Sequence, residues 1–429
     1  MKDVSRVCLI GALIRLIIPT VLPDLPFWFS SVVELSSPIT SFKSLYEAFF
    51  YLEHDINPYD GGINHHPPLL VMVMNMIYEY VPVPLRFIVF NALYTFVDLV
   101  IAWQLVLINR WYNEYKTKKN GAPVKGFDDS LIVSFYLFNP LIILTNLSHS
   151  TSVFSIFFFT ETLVQLLVKK NLARSMLCMG VTTYLSVRYV YLIIPVLALA
   201  YSIQREPKAV YFQGPSLFVA SFAFLILASF TLTASWEFIE SCYFVVIFYK
   251  KIKPNLGLWW YIFTEMFDFF TPFYTGMFNI YSFCFIIPIT LRLFEYQGSG
   301  KKHIGDCFLA VVACALWLSF TNPYSTLSDL GFALSLIPIF KGTVLPHCKY
   351  LLIIGLTLLV CLLLSPIFYY CWIVLGNGNS NFFYSISLIW GIIHGLILND
   401  LLWAFLTHDY IKTNDVKPES AASIRLTQI

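Results

Sequence analysis

Six carboxylates and an adjacent histidine pair crowd residues 23–66: Asp24, Glu34, Glu47, Glu53, Asp55, Asp60, His65 and His66. Held out of water, one such carboxylate can act as a general base. On a solvated face the same acids merely keep a loop hydrated. His65 and His66 are neighbours and point apart, unlike the i, i+4 pair that shares a metal, and no third ligand stands at a recognisable spacing, so no metal is expected. "HHPP" instead prepares the chain for a helix, since Pro67 and Pro68 suit a first turn. Tyr59, Asp60, His65 and His66 are the residues of this loop placed to contact a ligand.

Two further stretches carry polar groups beside aromatic ones. "KKIKPNLGLWWYIFTEMFDFF" sets Asn255 in a turn before Trp259 and Trp260, rings that suit the headgroup level of a bilayer. Glu265 and Asp268, at i and i+3, are expected on one helix face, either for acid/base work or as the polar side of an interfacial helix. In "GNGNSNFF", Asn379, Ser380 and Asn381 offer neutral hydrogen-bonding groups directly before Phe382 and Phe383. That order suits a glycolipid headgroup above its chains; a helix-capping turn has the same composition. The lysine and glycine spacing of a phosphate loop are absent.

The elements positioning these residues lie in a membrane. The 429 residues are 58% hydrophobic and 12% charged, about half the charge of a soluble domain. The net charge of +2 forms no basic stripe, so nucleic acid is not a partner. Nine cysteines are scattered without a CxxC pair and read as buried thiols. The first apolar run lacks a small-x-small cleavage site and reads as an uncleaved span. About twelve spans are expected, near 7–22, 85–108, 131–147, 152–168, 172–187, 189–203, 213–234, 272–294, 304–320, 324–340, 348–370 and 383–406. Residues 67–82 are apolar but short, and counting them as a span would move the lysine-rich segment 109–129 to the other side. Without them, nearly all lysines and arginines share one face with both termini, which is therefore expected to be cytosolic. The opposite, luminal face receives 23–84, 235–271 and the GNGNSNFF loop. Asp98, Glu161, Arg188 and Asp329 fall at or near membrane depth, where facing lipid costs about 2.5–3.5 kcal/mol each, so they must face the interior or a partner. Asn146 begins a formal glycosylation sequon that lies too close to the membrane to be used.

"SPITSFKSLYEA", "INPYDG", "HHPPLL", "KPNLGLWWYIFTEMFDFF" and "GNSNFFYSISL", in that order over nearly the whole chain, resemble the class U phosphatidylinositol-glycan (PIG-U) family, most closely a fungal member. The resemblance implies an all-α polytopic subunit of the endoplasmic reticulum GPI transamidase, with PIG-K performing the transamidation and PIG-T, PIG-S and a Gaa-type subunit as partners. It also implies contact with the GPI glycolipid and membrane phospholipid, and no cofactor. The first half (1–235) is similar to the multi-span (GT-C) mannosyltransferases such as PIG-M, and 236–429 is the family-specific half of a single membrane domain, 1–429. Those enzymes carry an aspartate pair before an aromatic-x-Asp-Ala stretch. Laid on "SLYEA", the pair falls on Ile39 and Ser41, neither of which can serve as a base or metal ligand. No cysteine stands with a luminal histidine as a catalytic pair. The expected function is therefore recognition or positioning of GPI without catalysis. The alternatives are an active mannosyltransferase and a pure assembly scaffold.

Overall fold

The computed structural model describes residues 2–61, 63–121, 123–204, 206–295 and 305–414, and among these the secondary structure is entirely helical. Arg205, Lys301, Lys302, Lys417 and Arg425, which entered the sidedness argument, lie outside them.

Seven helices are long and apolar enough to cross a membrane, or eight if the bent pair Asp129–Leu137 and Pro140–Leu147 counts as one. The other expected spans are shorter: Ser152–Leu167, Leu172–Leu185, Cys307–Phe320 and Leu327–Leu336, of 16, 14, 14 and 10 residues. At 1.5 Å per residue these reach roughly 15–24 Å, less than the ~30 Å hydrocarbon thickness. Their shortness has a common cause. Three hairpins, 129–167, 172–204 and 307–342, start from one end of the bundle and turn around polar residues inside it. Their turns, near 151, 186 and 322, line the same cavity. Pro140 bends the first arm of the first hairpin: Asn139 caps helix Pro140–Leu147 by accepting from Leu141 N at 3.0 Å, and the axis bends by 53° there.

Around these hairpins stand the long helices Lys2–Val21, Gly214–Thr233 and Leu351–Tyr369, whose Leu9, Ile17, Phe224, Leu352 and Leu363 are exposed. A ring of exposed apolar side chains around a buried interior is what lipid as solvent requires. Helix Val83–Asn120, about 57 Å long at 1.5 Å per residue, outreaches the hydrocarbon layer. It ends at Gly121, in the left-handed region at φ +67°, after Lys118 and Lys119 in its last turn. Its basic end holds Lys116 against Asp306 at 2.9 Å and Lys119 against Glu295 at 3.0 Å. Small residues let helices touch: a Cβ on Gly180 would lie 2.4 Å from Ser221 Oγ, where Leu172–Leu185 meets Gly214–Thr233.

The segment after "SPITS" forms the helix Phe42–Glu53, with Leu45 and Phe49 buried, and residues 67–82 give the short helix Pro68–Tyr80. The shared face expected of Glu265 and Asp268 does not form. Helix Trp259–Glu265 stops at Glu265, because Met266 and Phe267 are extended (ψ 155° and 141°), and Asp268 starts a separate turn.

Candidate functional site

The stretch "NPYDGGINHHPPLL" folds into a clamp. Asn57 Oδ1 accepts from Tyr59 N at 3.0 Å, and its amide donates to Glu237. Tyr59 Oη donates to the His66 carbonyl at 2.9 Å. Gly61 takes φ +88°, turning the chain back. Each histidine then ties a different segment: His65 Nδ1 donates to the Ser241 carbonyl at 2.7 Å, and His66 Nε2 to the Ser41 carbonyl at 2.9 Å. Both rings are buried, and burial holds both below the usual histidine pKa, His66 at about 4. They are neutral fasteners, His65 between the first loop and the 235–271 segment and His66 within the first loop. Asp60 is exposed in the turn.

The clamp covers the cavity at which the three hairpins turn. Thr40 O accepts from Thr151 N at 3.0 Å, and Glu34 O from Leu327 N at 2.9 Å, fixing the first loop to two of the turns. The cavity, about 90 Å³, is lined by Arg188 and Asp329 among others. Arg188 Nη2 donates to Thr321 O at 2.9 Å and Asp329 accepts from Asn322 at 2.8 Å, so both ionisable groups have partners. Ile39, expected from the sequence at one position of the missing aspartate pair, lines this cavity with an alkyl chain. Ser41 lies outside its lining. Of the first-loop acids, Glu34 is buried against Ser365 Oγ at 2.5 Å, and Asp24, Glu53, Asp55 and Asp60 are exposed.

The remaining membrane-depth acids are structural. Asp98 meets Arg15 at 2.7 Å, and also accepts from Tyr136 at 3.0 Å and Asn146 at 2.9 Å. Asn146 is thus spent inside the bundle and offers no amide to a glycan. Glu161 accepts from Gln104 at 2.7 Å. Arg15 was not singled out from the sequence, although its place within the first apolar run was a signal.

At the rim, the GNGNSNFF loop leads into helix Ser380–Thr413. Asn379 is its N-cap, accepting from Asn381 N at 3.1 Å. Tyr261 Oη donates to Asn381 Oδ1 at 2.6 Å, and Ser380 donates to Glu265 at 3.2 Å, so two segments 120 residues apart form one edge. Behind it, Tyr261 stacks on Tyr384 at 4.1 Å, and Trp260 packs against Phe383 and Trp372 at 5.8 and 5.7 Å. Asn379, Asn381 and Phe382 are exposed.

Four residues expected to contact lipid at this rim are turned inward instead. Trp260 is fully buried and donates to Ser387 at 3.0 Å, and Trp259 donates to Thr321 O at 3.0 Å and stacks on Phe278 at 4.0 Å. An indole N–H that finds a partner inside makes Trp a core residue rather than a headgroup-level one. Asn255 spends its amide on Lys253 O and Pro323 O and its oxygen on Gly257 N. Phe383 is buried as well, leaving Phe382 as the outer ring. Tyr261, which sequence reasoning left out of the site, is the side chain that joins the two segments.

Residues 9–390 match the family described as GPI transamidase subunit PIG-U. The chain is 35% identical over 398 residues to the GPI transamidase component GAB1 of Saccharomyces cerevisiae, covering 92% of this chain and 93% of that protein. It is 28% identical over 410 residues to the human GPI-anchor transamidase component PIGU, covering 90% of each. The GAB1 homolog of Schizosaccharomyces pombe is 28% identical over 382 residues, covering 88% of each.

Proposed function

The chain belongs to the PIG-U family of GPI transamidase subunits, and on that premise we propose that it positions the GPI lipid for transfer without performing chemistry itself. It sits in the endoplasmic reticulum membrane with both termini cytosolic, as one unit of about twelve crossings whose three short hairpins are recessed into a GT-C-like bundle. Catalysis comes from PIG-K, with PIG-T, PIG-S and a Gaa-type subunit completing the complex.

The observation that carries lipid positioning is the rim. Exposed amides of Asn379 and Asn381 stand beside exposed Phe382, backed by a rigid aromatic block at the mouth of an apolar helix. Such an edge takes a hydroxyl-rich headgroup above acyl chains. The absence of chemistry is supported by Ile39, which stands in the sequence at one position of the missing aspartate pair and lines the cavity. The alternative, an active mannosyltransferase, would use Glu34 or Asp60, which are buried against Ser365 and exposed in a turn, respectively, and the acid that does line the cavity, Asp329, is engaged by Asn322.

The test is the pair Asn379→Ser and Asn381→Ala. Serine keeps the cap acceptor and removes the amide donor. Each lost hydrogen bond is worth about 0.5–1.5 kcal/mol, so GPI co-purifying with the complex should fall several-fold while partner subunits stay bound. Full GPI retention with loss of a partner would make the rim an assembly contact and sink the reading.

A further inference from the structure

A groove of about 370 Å³ opens at the non-basic end, between the first loop, helix Pro68–Tyr80 and the start of helix Val83–Asn120. Its walls are aromatic, with Phe27, Phe42, Tyr78, Phe87 and Phe90 among them, and it is also lined by Arg86 and His149. It shares no residue with the rim or with the cavity under the clamp. Val83, Leu85 and Ile88 beside Arg86 are exposed, so the guanidinium stands where the lipid-facing surface of this helix begins.

Arg86 is held in place but not neutralised. Its Nε donates to Val81 O at 3.2 Å and its guanidinium lies 3.9 Å over the Tyr78 ring, while its terminal nitrogens make no hydrogen bond or ion pair among the described residues. Glu79, the last acid before it in the chain, is engaged by Asn75 at 2.6 Å. A guanidinium stacked on a ring presents a fixed fork that matches phosphate oxygens, and the first turn of a helix favours an anion as well. At the inner end, His149 is 3% exposed, its ring between Phe42 at 5.0 Å and Tyr94 at 4.8 Å. Its backbone holds φ +50°, which a non-glycine residue keeps only where the surroundings demand it. Nε2 donates to Asn91 Oδ1 at 2.7 Å, which leaves Nδ1 as an acceptor, buried and without a partner. Such an acceptor on an aromatic wall calls for a hydroxyl from an occupant.

We propose that this groove holds the headgroup of a resident inositol phospholipid, with its phosphate on Arg86 and a ring hydroxyl donating to His149 Nδ1. The C–H faces of the polyol ring lie against the aromatic walls, and Tyr46 Oη and Tyr78 Oη, 3.3 Å apart in the lining, serve its further hydroxyls. The acyl chains leave past exposed Phe27 and Val83 into the bilayer. The volume takes a six-membered ring with its phosphate but not a glycan attached to that ring, which selects free phosphatidylinositol over GPI. The site does not depend on the function proposed above.

The test uses the intact complex, purified through a partner subunit and exchanged into phosphatidylcholine nanodiscs containing phosphatidylinositol or phosphatidylmethanol, bound lipid being counted by native mass spectrometry. Phosphatidylmethanol carries the same phosphate charge without a headgroup hydroxyl, and the natural chain should retain about tenfold less of it. Arg86→Gln should lower retained phosphatidylinositol about tenfold and Arg86→Lys by less, with partner subunits still bound. His149→Asn, a residue that tolerates the left-handed backbone, should abolish the preference for phosphatidylinositol and leave phosphatidylmethanol retention unchanged. Equal phosphatidylinositol retention by Arg86→Gln overturns the proposal. So does equal retention of the two lipids by the natural chain, which would assign the groove to any anionic lipid. Loss of a partner subunit from Arg86→Gln with phosphatidylinositol retained would make the groove a protein contact and overturn it too. GPI co-purification, the readout for the Asn379→Ser/Asn381→Ala variant, should be unchanged in Arg86→Gln; loss of GPI with phosphatidylinositol retained would make the groove a GPI contact and sink the resident lipid.

Discussion

Arg15 and Asp98 show what a single pair of side chains contributes in this chain. Both are buried, 2.7 Å apart, and Asp98 is also served by Tyr136 and Asn146, while Arg15 Nη1 donates to the Gly11 and Leu137 carbonyls. Removing one member of a buried pair leaves the other charge uncompensated, which costs about 3–5 kcal/mol, whereas replacing both by apolar residues costs much less. Asp98→Asn should therefore destabilise the purified protein by about that amount, and Arg15→Met/Asp98→Leu should recover part of the loss in thermal unfolding. A double variant as damaged as the two single changes combined would show that the pair is not coupled. That Asp98 needed an interior partner was legible from its membrane depth. Its partner was not, because the two lie 83 residues apart and hydropathy carries no pairing information. The tryptophans failed for a related reason. An aromatic-rich run has the same composition at a headgroup belt and in a core, and only the partners found by the Trp259 and Trp260 N–H groups decide between them.

At the scale of elements, the clamp 57–70 joins loops that the sequence presents as separate. His66 fastens the turn before helix Pro68–Tyr80 to Ser41, with Thr151 Oγ1 3.3 Å from its other nitrogen. Burial lowers its pKa from 6.5 to about 4, so the unfolded chain takes up a proton first as the solution is acidified. Stability is unaffected above about pH 6.5 and is lost as the pH falls from there towards 4, by about 1.4 kcal/mol per pH unit for this group. His65, shifted in the same direction, adds to the slope. Thermal unfolding of the detergent-purified complex should thus show a melting temperature that drops between pH 6.5 and 4.5, and His66→Asn should be less stable at neutral pH but flatter across that window. An unchanged slope in His66→Asn would mean that other groups cause the acid lability. The turn-forming residues of this stretch announced a bend, and the HHPP signal announced the helix that follows. What the bend holds together was hidden, since Ser41, Ser241 and Tyr184 meet it only in three dimensions.

The whole molecule turns on a difference between depth and composition. Apolar windows located the long helices, but four windows became helices too short to cross alone, because their connecting turns stop at an internal cavity instead of at water. A polar turn in the interior and one at the surface are written with the same residues, so length inside the bundle was not readable. Sidedness rests instead on where lysine and arginine collect. The described part of that charge, including Arg110, Lys116, Lys118 and Lys119, gathers around the far end of helix Val83–Asn120, and the clamp, groove and rim gather at the other. Each short hairpin enters and leaves by the basic end, so whether it is counted as two crossings or as one recessed loop leaves the sides of all other segments unchanged. Cysteines placed at the exposed positions Lys118 and Asn377 should therefore react with an impermeant maleimide from opposite sides of sealed microsomes, Lys118→Cys from outside and Asn377→Cys only after permeabilisation. Labelling of both without permeabilisation would put an odd number of crossings in the wrong place, and with it the rim on the cytosolic side, where it could not meet a lumenal protein C-terminus.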